Sequence, residues 1–165
     1  MKEDEVYRAS KAWLVDNGFR LLAGQPPRGT DRLPVVEVKI RGAGVRGSLG
    51  SYKPDLIVAN ADVILIIECK PQRSSSDVEK LMKIRDDIRR QDALVAELEQ
   101  RRLLERRGLR AAYPTADSIR AAFRYAIAYA GRPNPEHEVY SLVFNQANQS
   151  EAQIYLGLEP VVELP

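Results

Sequence analysis

The chain has 165 residues, enough for one hydrophobic core but few for two, and 44% of them are hydrophobic while 29% are charged. This composition excludes a disordered or collagen-like chain, and no apolar run approaches the roughly 20 residues that span a bilayer. The formal net charge of +2 conceals an uneven distribution: residues 101–132 carry eight Lys and Arg against two acids, whereas residues 133–165 carry five acids and no Lys or Arg. Because 18 of the 25 basic residues are Arg, whose planar guanidinium suits phosphate, the charge permits a nucleic-acid partner.

The N-terminus and the cysteine content indicate the cellular compartment. Residues 1–5 are mostly charged and lack the apolar stretch of a signal peptide. Cys69 is the single cysteine, so no disulfide framework is expected. The sequence therefore predicts a cytoplasmic protein with no membrane partner.

The first third of the chain predicts one helix and two short strands. Three acids followed by apolar residues at helical spacing predict a helix over about residues 3–17. Strands are predicted at residues 19–23 and, because apolar and charged residues alternate there, at residues 33–40. The glycine-rich, basic residues 41–51 fit either a segment that lies over a ligand or a surface loop.

A central hairpin is predicted from strands at residues 53–59 and 63–70. The second strand begins with an uninterrupted apolar run, which is typical of a strand covered on both faces. With a two-residue turn, Asp55 and Glu68 become direct cross-strand neighbours, with Cβ atoms roughly 4.5–5.5 Å apart. A four-residue turn would set them diagonally on one face, and a three-residue turn would separate them.

The second half of the chain predicts helices and a closing hairpin. A long helical stretch at residues 77–108 either breaks near Gln91-Asp92 or protrudes as an arm. A third helix is predicted at residues 115–130, and strands at 139–144 and 152–158. The long stretch has a narrow apolar stripe, as paired helices do, formed by Leu81, Ile84, Ile88, Val95 and Leu98.

The carboxylates of the hairpin are the candidate metal-binding and catalytic groups. Asp55 and Glu68 would repel each other unless a proton or a cation lies between them. Mg²⁺ prefers carboxylate and water oxygens, so a divalent ion is the simplest resolution. Lys70 shares a strand face with Glu68 and could orient a water molecule or stabilise a phosphate. The first helix offers a third acid, for which we favour Glu5 over Glu3.

Pro54-Asp55, twelve further residues and then Glu68-Cys69-Lys70 resemble the signature of the PD-(D/E)xK nuclease superfamily. More narrowly, these segments and a first helix ending in Asn17-Gly18-Phe19 resemble the N-terminal nuclease domain of type I restriction R subunits. The resemblance covers about residues 3–85. It implies an α/β fold of the restriction-endonuclease-like type, a mixed central sheet with an αβββαβ core. We expect a single domain over residues 1–165 with an added helical section at about 77–130.

The resemblance also implies residue roles in a Mg²⁺-dependent nuclease, with Mn²⁺ as a substitute ion. Asp55, Glu68 and the backbone carbonyl of Cys69 would bind the metal, Glu5 of the first helix would add a ligand, and Lys70 would assist the attacking water. The implied activity is DNA endonuclease cleavage of restriction or DNA-processing type. The resemblance is compatible with a larger restriction-type complex, and the apolar stripe of the long helix predicts a homodimer.

Three basic residues near this site in sequence are the first candidates for DNA contact, namely Arg41, Arg46 and Lys53. A second basic cluster could also bind phosphates, but it fits the solvated end of a helix slightly better. It consists of Arg101, Arg102, Arg106, Arg107 and Arg110.

A different class of function is also open. The chain could be a catalytically inactive nuclease-fold module that binds DNA or assembles with a partner through its long helix.

Overall fold

The computed structural model describes residues 1–40 and 51–164, and the chain is an α/β protein. Its helices are α1 (Glu3–Asp16), α2 (Ser75–Arg85), α3 (Ile88–Gln100), α4 (Leu103–Arg106) and α5 (Ala116–Ala121). Its strands are β1 (Arg20–Gly24), β2 (Val38–Lys39), β3 (Ser51–Tyr52), β4 (Leu56–Ala59), β5 (Ile64–Cys69), β6 (Phe123–Ala130), β7 (Tyr140–Phe144), β8 (Ala152–Leu156) and β9 (Glu159–Pro160).

A mixed seven-stranded sheet in the order β1-β4-β5-β6-β7-β8-β9 forms the centre of the fold. The pairs β5–β6 and β6–β7 are parallel, and the other neighbours are antiparallel. Parallel neighbours need a long crossover, and the β5–β6 crossover contains α2 to α5. Two apolar clusters fill the two faces, one formed with α1 and the other with α2 to α5.

The central hairpin has the predicted register. Leu56 pairs with Ile67 and Ala59 pairs with Ile64, and the backbone N–H of Asn60 donates to the Val63 carbonyl at 3.1 Å across the turn. Strand β5 is buried over its whole length between β4 and β6, so the prediction of a strand covered on both faces is confirmed. The same register sets Asp55, one residue before β4, opposite Glu68.

The predicted third helix at 115–130 is wrong beyond its first turns. The helix ends at Ala121, and Phe123–Ala130 is the buried strand β6. Aromatic and β-branched side chains at alternate positions, such as Tyr125 and Ile127, face α2 to α5, whereas intervening alanines such as Ala128 face α1. This period of two fits a sheet, and the alanines also satisfy helical spacing, which explains the error.

The predicted long helix is three helices. It breaks at Asp86-Asp87 rather than at Gln91-Asp92, and the Asp87 carboxylate caps α3 by accepting from the backbone N–H of Arg89 at 3.0 Å. The helical section therefore spans residues 75–121, not 77–130. Ile88 is 54% exposed, but the other four stripe residues, Leu81, Ile84, Val95 and Leu98, are buried in the chain's own core and leave no exposed seam.

The remaining predictions are confirmed only in part. Of the strand predicted at 33–40, only Val38–Lys39 is a strand, and it pairs with β3 in a separate two-stranded sheet. The predicted closing hairpin is present as β7 and β8, followed by the unpredicted β9. Most of the glycine-rich stretch lies outside the described residues. Within the two described ranges, no helix has both the length and the apolarity to cross a membrane.

Candidate functional site

A cavity of about 620 Å³ lies at the end of the β4–β5 hairpin that is opposite the turn. We call it the cleft. Its lining combines two carboxylates of the hairpin with five cationic side chains from the hairpin, α2 and α3. The full lining is Gln25, Pro26, Pro27, Ser51, Tyr52, Lys53, Asp55, Glu68, Lys70, Lys80, Lys83, Ile84 and Arg90.

Backbone contacts hold Asp55 in place. Its carboxylate Oδ2 accepts from the backbone N–H of Cys69 at 2.8 Å, and its carbonyl accepts from the backbone N–H of Gln25 at 2.8 Å. Burial nevertheless raises the pKa of Asp55 above its ordinary value, although the bond from Cys69 and the nearby Lys70 oppose this. The carboxylate is therefore oriented but incompletely neutralised.

The proline before Asp55 explains the local geometry. The hairpin register sets Pro54 opposite Cys69, where an antiparallel ladder would exchange two hydrogen bonds. The N–H of Lys70 points to β6, so the N–H and C=O of the preceding Cys69 point to the β4 edge. Proline has no N–H, and it cannot donate to the Cys69 carbonyl. The Cys69 N–H donates to the Asp55 carboxylate instead, and the Cys69 carbonyl points to the same edge.

Glu68 is a buried carboxylate with only 3% of its surface exposed. The hydroxyl of Tyr52 donates to its Oε1 atom, and its Oε2 atom lies 3.9 Å from Nζ of Lys70. Burial, followed by repulsion from Asp55, raises the pKa of Glu68 to about 8 despite these two partners. Asp55 and Glu68 form the floor of the cleft, and this floor therefore favours binding of a proton or a cation.

Tyr52 is a site residue that the sequence analysis missed. Burial and the Glu68 charge raise the pKa of its phenol above the ordinary value, so Tyr52 remains a hydrogen-bond donor. No motif or periodicity in the sequence indicates this contact, because it depends on how β3 folds against the end of β5.

Lys70 connects the hairpin to α1. Its Nζ atom donates to Oε1 of Glu3 at 2.5 Å. Burial alone would favour the neutral amine, but the bond to Glu3 and the charge of Asp55 outweigh it and raise the pKa of Lys70. Lys70 is therefore a fixed ammonium group beside the two carboxylates.

The structure brings Glu3, and not the favoured Glu5, to Lys70. The Glu5 carboxylate accepts from the backbone N–H of Lys2 at 2.6 Å and belongs to the helix cap. Residues two apart on a helix do not share a face, so both acids cannot turn toward the cleft. Glu3 is therefore the first-helix acid beside Lys70, whereas the role of Glu5 as a metal ligand stays a prediction.

The donor set of the cleft fits a small hard cation. Within residues 1–40 and 51–164, no group of three or more His, Cys, Asp or Glu side chains is arranged to hold a metal ion. Mg²⁺ is commonly held by one or two carboxylates together with waters and substrate phosphates. Asp55, Glu68 and the Cys69 carbonyl could provide such a set. The Cys69 side chain itself is buried among apolar residues on the α1 face.

Only one of the predicted DNA-contact residues can be placed. Lys53 is exposed and lines the cleft, whereas Arg41 and Arg46 lie outside the described residues. The cleft is also lined by three cations that the sequence did not indicate, namely Lys80 and Lys83 of α2 and Arg90 of α3. They are distant from the hairpin in sequence, so only the folding of the crossover reveals them.

Comparison with known proteins supplies no relative for this site. The chain matches no protein-family model, no curated protein and no solved structure. The resemblance to PD-(D/E)xK nucleases therefore stays a prediction from the sequence motif.

Proposed function

We propose that the chain is a metal-dependent nuclease of the PD-(D/E)xK type, with a restriction-endonuclease-like fold, that hydrolyses phosphodiester bonds of DNA. The observation that carries this proposal is the position of Asp55 directly opposite Glu68 on the floor of a cleft lined by lysines. A floor with two carboxylates repels phosphate unless a cation is present, whereas the lysines attract phosphate.

In this proposal Asp55, Glu68 and the Cys69 carbonyl hold Mg²⁺ or Mn²⁺. When bound, the ion supplies Lewis acidity toward the phosphate and makes water more acidic. The hydrogen bond from Cys69 orients the Asp55 carboxylate, and that from Tyr52 orients the Glu68 carboxylate. Preorganised ligands of this kind need little rearrangement on binding the ion.

Lys70 would act as a proton-bearing group and not as a general base. Its raised pKa keeps the ammonium form at neutral pH, so it donates hydrogen bonds to the attacking water or to phosphate oxygen. Glu3 fixes the position of its Nζ atom. Negative charge that develops on the phosphate in the transition state would meet this ammonium group.

The test is cleavage of supercoiled plasmid with Mg²⁺ or Mn²⁺. We expect Asp55→Asn to reduce the rate by about 10³-fold, because it removes a metal ligand without changing side-chain size. Asp16→Asn is the matched control, since Asp16 is an exposed carboxylate at the end of α1, and it should cleave at the wild-type rate. Cleavage by Asp55→Asn at the wild-type rate would sink the proposal.

A module that binds DNA without cutting it is the second candidate, because the lysine-lined cleft would serve binding alone. Binding of plasmid without cleavage under either metal would favour it. Assembly with a partner through the apolar stripe of a long helix is not supported, since four of the five stripe residues are buried within the chain. A homodimer or a larger restriction-type complex stays a prediction, which light scattering would measure.

A further inference from the structure

We propose that the α2 wall of the cleft binds the phosphate backbone of duplex DNA through Lys80 and Lys83, independently of base sequence. The inference rests on the proposed function for the identity of the ligand. It adds a contact surface that the hairpin motif does not contain, and it can be measured without any cleavage.

The lysines of this chain are concentrated at the cleft. Seven lysines occur in the sequence, and four of them, Lys53, Lys70, Lys80 and Lys83, line the cleft. Of the more numerous arginines, Arg90 is the one that lines it within the part of the chain that the structure describes. A basic concavity of this kind raises the local concentration of a polyanion.

Helix α2 holds its two lysines rigidly on one side. Lys80 and Lys83 are three residues apart and therefore neighbours on the helix surface. Val78 and Leu81 of the same helix are buried against the sheet, at 5% and 0% exposure. The helix is thus anchored by its apolar face, and the two ammonium groups stand over the cleft.

Both ammonium groups remain able to bind phosphate. Lys80 donates to the Asp77 carboxylate at 2.8 Å, but half of its side chain is exposed and an ammonium has two further hydrogens. Lys83 is exposed and forms no ion pair with any residue in the ranges 1–40 and 51–164. Since Asp77 is neutralised by Lys80, the wall has a net positive charge.

The arrangement separates two tasks within the cleft. The carboxylates Asp55 and Glu68 form the floor, where a phosphate is stable only with a cation, while Lys80 and Lys83 form a wall that attracts phosphate directly. A lysine ammonium is a compact point charge, and here it stands over the cleft as a contact for phosphate. Contacts to phosphate position the duplex but carry no sequence information.

The test is fluorescence anisotropy of a labelled blunt-ended duplex in EDTA across a series of NaCl concentrations. We expect Lys80→Gln/Lys83→Gln to weaken binding on the order of tenfold near 0.1 M salt. The slope of log K against log salt should become shallower by about two units, one for each lost phosphate contact. A second duplex of scrambled sequence should show the same loss.

Two further variants keep the test decisive. Arg106→Gln/Arg107→Gln removes the same charge from exposed arginines that do not line the cleft, and it should leave the slope unchanged. If the double variant unfolds, the single variant Lys83→Gln takes its place, because it breaks no ion pair with a described residue. In this variant the slope should become shallower by about one unit. An equal loss in the arginine variant, an unchanged slope in Lys83→Gln, or a loss confined to one duplex would overturn the inference.

The two proposals fail separately. If the lysine variants lose binding as expected but the wild-type protein cuts no plasmid with Mg²⁺ or Mn²⁺, the nuclease proposal fails and the phosphate wall stands. If Asp55-dependent cleavage occurs but the lysine variants show the wild-type slope of log K against log salt, the phosphate wall alone fails.

Discussion

The cleft and the arginine-rich segment at residues 101–110 are both strongly basic, but the acidic side chains near their cations differ. In the segment, Arg102 is paired with Glu105, and Arg110 lies 3.4 Å from Glu99. In the cleft, cations from the hairpin, α2 and α3 line the same cavity as two carboxylates whose pKa values are raised.

The difference shows that formal charge along a sequence is a poor guide to the charge available to a ligand. Arg102 and Arg110 have acidic partners three to eleven residues away, and such surface pairs are worth little. Lys80 of the cleft has a similar partner in Asp77, but Lys83 forms no ion pair within residues 1–40 and 51–164. Lysines that are far apart in sequence become a site when the crossover folds over the hairpin. Three predictions test this contrast, in order of expected effect.

The largest effect should come from the floor of the cleft. The pKa of Glu68 rises from 4.5 to about 8 on folding, so between these pH values the folded chain binds a proton that the unfolded chain has released. Without divalent ions, the free energy of unfolding should therefore fall by up to a few kcal/mol as pH rises through this window. Urea unfolding in EDTA at several pH values measures it.

Two variants check the assignment to Glu68. Glu68→Gln cannot titrate, so most of the pH dependence should disappear, whereas the exposed Glu79→Gln should keep the wild-type dependence. The attribution would be wrong if Glu68→Gln and the wild type lost stability in parallel. Adding Mg²⁺ should restore stability at high pH, because the ion replaces the proton.

An intermediate effect should come from the contact between α1 and Lys70. Glu3→Gln removes the charge that holds Nζ, and we expect the plasmid cleavage rate to fall roughly tenfold at saturating DNA, with little change in KM. Glu5→Gln removes an equal charge from the same helix turn, where it serves the cap, and should cleave normally. Equal losses in both variants would indicate a general effect of α1.

The smallest effect should come from the arginine-rich segment. Arg102→Gln and Arg110→Gln break exposed ion pairs, and each should change the free energy of unfolding by under about 1 kcal/mol. Neither should change the affinity for duplex DNA. A loss of DNA affinity comparable to that of the lysine variants would erase the contrast between the two regions.

The sequence predicted the parts of the site that depend on local rules. Strand alternation and a two-residue turn were sufficient to pair Asp55 with Glu68 and to set Lys70 on the face of Glu68. Local rules do not show which acid contacts Lys70, because Glu3 and Glu5 both lie in the first turn of α1. Periodicity shows that the helix is amphipathic, but the packed structure decides which first-turn acid faces Lys70.

The parts that depend on tertiary packing were not predictable in this way. The alanines of strand β6 fit helical spacing and predict a helix, although its aromatic and β-branched residues alternate as in a strand. The lysines of α2 look like an ordinary solvated helix face until the crossover sets that helix above the hairpin. Tyr52 reaches Glu68 from a separate two-stranded sheet, a contact for which neither alternation nor charge gives a sign.

Pro54 has a consequence for engineering this fold. Proline lacks the backbone N–H, and a residue with an N–H at that position could complete the hydrogen-bond ladder opposite Cys69. Any other residue there would offer the Cys69 carbonyl a partner within the chain. In the proposed metal site, sheet extension and cation binding would compete for this one oxygen. A substitution at Pro54 that lengthens the β4–β5 hairpin would therefore occupy the carbonyl proposed as a metal ligand.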